Sequence, residues 1–250
     1  MTGGRVIRVL VVVLCLGFPA GPAVAGPECE IVVGSCHRAP LSTTEGAGIL
    51  DRLVVEAFRR IGRKACIVPL PCERSLVSAD EGTTDGDILR IPAAVAGRYP
   101  NLEPVAEPLY DFSFQCFAIR PEVAVKGWDD LASLRVGHIL GWKILEDRVR
   151  AAEVLRVRGP DVLFSLLAEG KVDTVVYERL TGIGQMRDMT LAGGRVIEPP
   201  LLVIPQHIVL NRRHGALSAP LAEAIRTIKA DGTYAAAFRV AGFEPPGAGP

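Results

Sequence analysis

The sequence predicts an α/β protein of two lobes, each a mainly parallel sheet flanked by helices, and three observations carry that expectation. Apolar strands alternate with amphipathic helices over residues 29–91, the alternation restarts after residue 119, and no Gly/Ser-rich linker separates the halves. A parallel strand pair needs a crossover of a dozen or more residues, usually a helix, so this order implies parallel sheets.

The first half opens with CEIVVGSC (29–36), a β-branched run closed by Gly and Ser that reads as a buried strand. In GILDRLVVEAFRRIG (48–62), Leu50, Leu53, Val54, Ala57, Phe58 and Ile61 share one helical face. Asp51, Arg52, Glu56, Arg59 and Arg60 occupy the other face, and Gly62 ends the helix. ACIVPLP (65–71) is a second strand, ERSLVSADEG (73–82) a short helix and DGDILRI (85–91) a third strand. FSFQCFAI (112–119) alternates like a longer strand.

The second half repeats the plan. A helical lead-in, GWDDLASL, precedes the strand RVGHIL (135–140), the helix WKILEDRVRAA (142–152) and the strand EVLRV (153–157). Next come the helix PDVLFSLLAEG (160–170) and the strand VDTVVYE (172–178), then two extended segments broken by prolines in RVIEPPLLVIPQHIVLN (195–211). Two helices close the chain, from Pro220 to Lys229 with Ser218 as cap and from Thr233 to Ala241. EPPGAGP (244–250) is expected to be a disordered tail. The segments near 112–119 and 199–210 are the crossovers that act as a hinge. The expected lobes are 26–115 with 205–243, and 116–204 between them.

The start of the chain has the order of a secretory signal peptide: Arg5 and Arg8, the apolar run Val9 to Phe18, then Ala23-Val24-Ala25 before Gly26. Cleavage is expected after residue 25. A membrane anchor is the competing reading, but so short a run falls well below the roughly 20 residues that a bilayer requires. Cys15 follows Leu14, which argues against lipidation. The mature chain is then exported to the periplasm. Removing two arginines from 28 basic against 28 acidic residues leaves a net charge of −2, which makes nucleic acid an improbable partner.

Five cysteines remain, an odd number in an oxidising compartment. If strands 29–36 and 65–72 run side by side, Cys29 meets Cys66 and Cys36 meets Cys72. At least one of those disulfides is expected, with Cys116 free; four unbonded thiols are the alternative. None of the spacings matches a zinc site.

Ligands of open α/β sheets bind beyond the carboxyl ends of the strands. That rule selects Ser35 and His37, Glu73 and Arg74, Arg90, Trp142 and Lys143, and Tyr177 and Glu178; Tyr110 is a further candidate for lining the cleft. An arginine ending a buried strand suits a carboxylate clamp, with Arg90 paired to Asp85 or Asp87 as the structural alternative. The start of the 142–152 helix offers backbone amides to an anion, and the indole of Trp142 offers a stacking surface. No G-x-S-x-G, H-E-x-x-H or Gly-rich phosphate loop is present, so neither catalysis nor a cofactor is expected. Cys36 and His37 are adjacent on an extended segment and point apart.

Five stretches, taken in order, resemble the periplasmic solute-binding proteins of the type II fold, the family that includes the amino-acid-binding components of ABC importers. They are GILDRLVVEAFRRIGRKACIVPLPCERSL, DGDILR followed by YPNLEPVAEPLY, DDLASLRVGHILGWK, LLAEGKVDTVV and IKADGTYAAAF. The resemblance covers roughly Glu30 to Phe238. It implies a monomer whose two lobes close on a small solute, anionic or zwitterionic and amino-acid-like, and hand it to a permease. Two further readings are an enzyme of the cyclohexadienyl-dehydratase kind, using Glu73 or Glu178 as acid, and a ligand-sensing partner of a membrane receptor. Where such amino-acid binders carry a Thr-rich segment and an arginine, this chain has RIPAAVAGRYP. For the aspartate that holds an α-amino group it offers Asp173 or Glu178.

Overall fold

The computed structural model describes residues 29–245. The expected signal peptide, 1–25, and residues 246–250 of the expected tail lie outside the described residues. No helix among the described residues is long and apolar enough to cross a membrane.

In the first lobe, β1 (Ile31–Ser35) lies between β2 (Ala65–Pro69) and β3 (Gly86–Arg90), parallel to both. Helices α1 (Ile49–Arg60) and α2 (Cys72–Asp80) make the crossovers. α1 buries Leu50, Leu53, Val54, Ala57 and Phe58 against Val33 and Ile88, which is the apolar stripe read from the sequence. Asp51, placed on the solvent face by its period, is instead fully buried at the helix start. Its carboxylate accepts hydrogen bonds from Ser42 Oγ (2.6 Å) and from the amides of Thr43 and Gly48 (both 2.9 Å). An acid in the first turn satisfies amides that the helix itself leaves open.

The chain leaves this lobe through α3 (Pro92–Val95), β4 (Leu102–Pro104) and the long strand β5 (Tyr110–Ala118). In the second lobe β6 (Arg135–Ile139) lies between β7 (Glu153–Val157) and β8 (Thr174–Glu178), again parallel to both, and β5 runs antiparallel beside β8. Helices α4 (Lys143–Arg148) and α5 (Pro160–Ala168) connect them. α4 is shorter than the predicted 142–152 helix.

A helix that the sequence reading did not find, α6 (Arg179–Asp188), follows β8. Gly182 and Gly184 hide it, since each glycine disfavours a helix by about 1 kcal/mol relative to alanine. Tertiary packing requires the first: a Cβ on Gly182 would sit 2.2 Å from the Phe117 ring. The Glu178 carboxylate caps the helix, accepting from the Leu180 amide (3.1 Å) and the Thr181 amide (2.8 Å).

The return crossover corrects a second expectation. Residues 195–211 form one strand of 17 residues, β9 (Arg195–Asn211), instead of two segments. It pairs antiparallel with β5 over its first part and with β3 and β4 over its last, so the sheets join into one curled path, β2-β1-β3-β9-β5-β8-β6-β7. Two of the strand's three prolines, Pro199 and Pro200, fall where the β5–β9 register slips, between Phe114↔Leu202 and Cys116↔Ile197, where ladder bonds are already interrupted, while Pro205 pairs in register with Asp111.

The last helices, α7 (Ser218–Ala230) and α8 (Thr233–Val240), bring Leu221, Ile225, Ile228 and Phe238 back into the first lobe's core. Ser218 is the first helical residue, not the cap, and its side chain makes no capping bond.

Where at least one of the two candidate disulfides was expected, both are present, Cys29–Cys66 and Cys36–Cys72, with Cα atoms 5.7 and 4.8 Å apart, and Cys116 is free and buried. The register differs from the expectation. Val32, not Cys29, lies opposite Cys66, and the ladder ends at Ser35↔Pro69. Cys66 sits one residue inside β2 while Cys29, Cys36 and Cys72 lie beyond the strand ends, so each bridge reaches diagonally.

Candidate functional site

Every parallel strand of both lobes contributes a residue at or just beyond its carboxyl end to one cleft of about 820 Å³. His37 and Arg38 follow β1, Arg90 ends β3, Trp142 follows β6, Arg158 follows β7, and Tyr177 and Glu178 end β8. Phe112 and Gln206, from the two crossover strands, line it between the lobes.

Arg90 takes the structural alternative, pairing with Asp87, although it ends its strand at the cleft. It borders the cleft, and its Nε and Nη2 fork onto the two oxygens of the fully buried Asp87 at 3.0 and 2.9 Å. Residues three apart on a regular strand face opposite sides. A bulge restores their shared side: Asp87 pairs with Val209 but Arg90 with His207, so β3 carries one extra residue between them. Leu89 absorbs it at φ 56°, a conformation rarely adopted by a branched side chain and found where surrounding structure holds it in place. Arg90 Nη2 also approaches the Cys72 carbonyl (3.4 Å) and Cys36 Sγ (3.5 Å), tying the guanidinium to the disulfide that borders the cleft.

The second lobe supplies an aromatic wall. Trp142 stacks on Tyr177 with centroids 5.0 Å apart and planes 3° from parallel, and Phe112 and Phe114 meet the indole edge-on at 6.1 and 5.7 Å. Burial pushes the Tyr177 hydroxyl pKa up to about 12, so it remains a neutral phenol. His37 lies beside this wall, its ring centroid 6.4 Å from that of Phe112. Burial, helped by the neighbouring Arg90 charge, lowers its pKa to about 4, so the ring is neutral near pH 7. Its Nε2 is buried with no hydrogen-bond partner among the described residues.

Glu178 borders the cleft but is 1% exposed and fully engaged. Besides the two capping amides it accepts from Tyr110 Oη (2.7 Å) and Thr181 Oγ1 (2.8 Å), while burial pushes its carboxyl pKa upward. Tyr110, expected in the cleft, is this buried partner and packs in the first lobe's core. Glu73 lies outside the lining, bound to Arg98 (2.8 Å) and Tyr99 (3.0 Å). Arg74 is exposed on α2, also outside it. Lys143 is in the lining, paired with Glu146 at 2.9 Å. The expected anion site at the start of α4 is modified in the same way, since Glu146 already takes the Gly141 amide (2.8 Å). Asp173 is held by Arg120 and Arg135 away from the cleft.

Arg38, Arg158, Gln206 and the two phenylalanines are among the lining residues that sequence reasoning did not single out. The strand-end rule applied to EVLRV would have found Arg158, the residue right after that strand, and a count one past His37 would have found Arg38. Among the described residues no group of three His, Cys, Asp or Glu side chains is placed to hold a metal ion.

No protein-family model matches the chain, and no curated protein matches it in sequence. Solved structures do. The GluR0 ligand-binding core in complex with L-glutamate has a TM-score of 0.71 at 16% identity, covering 85% of this chain and 97% of that one. A probable amino-acid ABC transporter extracellular-binding protein of Bacillus subtilis reaches 0.69 at 18%, covering 84% and 96%. A histidine kinase sensor domain with similarity to periplasmic binding proteins reaches 0.68 at 18%, covering 86% and 97%. The chain thus has the two-lobed α/β fold of type II periplasmic-binding-protein-like domains, and its cleft occupies the strand-end position that such a fold provides.

Proposed function

We propose that the protein is an exported solute-binding protein. It captures a small polar solute, anionic or zwitterionic and amino-acid-like, in the interlobe cleft and delivers it to the permease of an ABC importer in the inner membrane. The single observation that carries this reading is the convergence of strand ends from both lobes on one cleft bearing guanidinium groups and an aromatic wall. The solute-binding proteins among the structural neighbours support it. In this reading residues 1–25 direct export, the chain acts as a monomer, and residues 26–115 with 205–243 move as one body against 116–204.

Closure is driven only by the ligand's preference for the closed form. Shifting a 1:99 equilibrium to 99:1 requires about 5.5 kcal/mol, and micromolar binding supplies about 8 kcal/mol. A dehydratase-like enzyme would use Glu73 or Glu178 as its acid. Glu73 lies outside the cleft, and Glu178 has its lone pairs occupied, so binding without turnover is the reading preferred here.

Thermal-shift screening of the mature protein against amino acids, small organic acids and polyamines tests the proposal. One class should raise the melting temperature and compact the protein in small-angle X-ray scattering, and Trp142→Ala should abolish both effects. Arg90→Ala is a poor probe, because it strips the buried Asp87 of its partner. A screen in which no class changes either reading would refute the proposal.

A further inference from the structure

We infer that the ligand is a carboxylate carried on an apolar ring, without an α-ammonium group; this rests on the cleft being the solute site. Arg38 and Arg158, one from each lobe, border the cleft and make no side-chain hydrogen bond or ion pair among the described residues. The other two cations there, Arg90 and Lys143, are already matched by Asp87 and Glu146. The free positive charge therefore belongs to two guanidiniums, groups whose planar forks suit a carboxylate.

An ammonium would find no such counterpart. Glu178 is the one carboxylate in the lining, and a carboxylate offers about four lone-pair sites. Four are taken, by Tyr110 Oη, the amides of Leu180 and Thr181, and Thr181 Oγ1. Asp173, the other acid that an amino group might use, is committed to two arginines elsewhere. An ammonium enclosed here would lose its water without gaining an ionic partner and would face two unpaired guanidiniums.

Shape agrees with charge. Phe112, Phe114, Trp142 and Tyr177 form a continuous aromatic surface, and about 820 Å³ lies towards the upper end of the roughly 300–1,000 Å³ range of small-molecule sites. Edge-to-face and stacked contacts on such a wall favour a flat ring.

Three probes of one skeleton separate the charges: 3-phenylpropanoate, L-phenylalanine and 2-phenylethylamine, titrated calorimetrically into the mature protein. The carboxylate should bind at least tenfold more tightly than the zwitterion, and the amine most weakly. Arg38→Ala combined with Arg158→Ala should weaken 3-phenylpropanoate at least tenfold while leaving the melting temperature of the free protein unchanged, since both side chains are exposed. Equal or tighter binding of L-phenylalanine would overturn the inference. So would compaction by L-glutamate or L-arginine with no response to 3-phenylpropanoate, and in that case the solute-binding reading stands. If none of these compounds binds or compacts the protein and the wider screen is also silent, both readings fall.

Discussion

The two lobes are built on one plan and reinforced in different ways. Each places a central strand between two parallel neighbours, β1 in one and β6 in the other, and each turns its strand ends toward the cleft. The first lobe carries both disulfides and fixes its cleft arginine with a buried carboxylate. The second has no disulfide among the described residues and relies on packing, with Trp142 on Tyr177 and Phe117 against Phe164 and the backbone of Gly182. One side of the cleft is thus held by covalent and ionic bonds, and the other is a packed aromatic surface. The difference teaches that symmetry of strand order does not extend to the source of rigidity.

Removing the cleft-side bridge should have the largest effect. Cys36→Ala with Cys72→Ala opens a loop of 36 residues, which in the chain-entropy account costs about 4 kcal/mol. Urea denaturation should show the loss, and an unchanged midpoint would remove the covalent half of the comparison. The second prediction concerns acid. His37 has a folded pKa of about 4 against 6.5 unfolded, so the unfolded chain takes up its proton first as the pH falls. Stability should therefore decline between about pH 6.5 and pH 4 and level off below, by at most about 3 kcal/mol from this residue. His37→Gln should flatten that part of the stability–pH profile relative to wild type; an identical profile would show that the ring is not held neutral. The smallest effect belongs to the second lobe. Gly182→Ala improves helix propensity but drives a methyl into the Phe117 ring, so overpacking should win by about 2 kcal/mol. A more stable variant in thermal unfolding would show that the lobe has slack where the packing suggests none.

Legibility in the sequence followed the range of the interactions. The stripe of Leu50, Leu53, Val54, Ala57 and Phe58 and the β-branched runs of β1, β6 and β8 are local patterns, and all were found where expected. α6 was not, because its own residues argue against a helix and only the Phe117 contact explains Gly182. Among the site residues, His37, Arg90, Trp142, Lys143 and Tyr177 lie in the cleft through the strand-end rule, whereas Glu73, Arg74 and Tyr110 lie outside it. The rule states which end of a sheet faces a ligand, not which way a side chain turns on the helix or strand that follows.

Local periodicity and strand–helix alternation were enough, without coordinates, to predict the two-lobed α/β plan, and cysteine spacing named the two candidate disulfide pairs, of which it called for at least one. They depend on near neighbours along the chain and on the fixed geometry of parallel crossovers. Tertiary structure alone decided that residues 195–211 run as one strand through both lobes, that a bulge at Leu89 turns Arg90 onto Asp87, and that Glu178 is spent inside the fold while Arg38 and Arg158 stay unpaired. Each of those outcomes depends on groups far apart in sequence competing for the same partners, which periodicity does not encode.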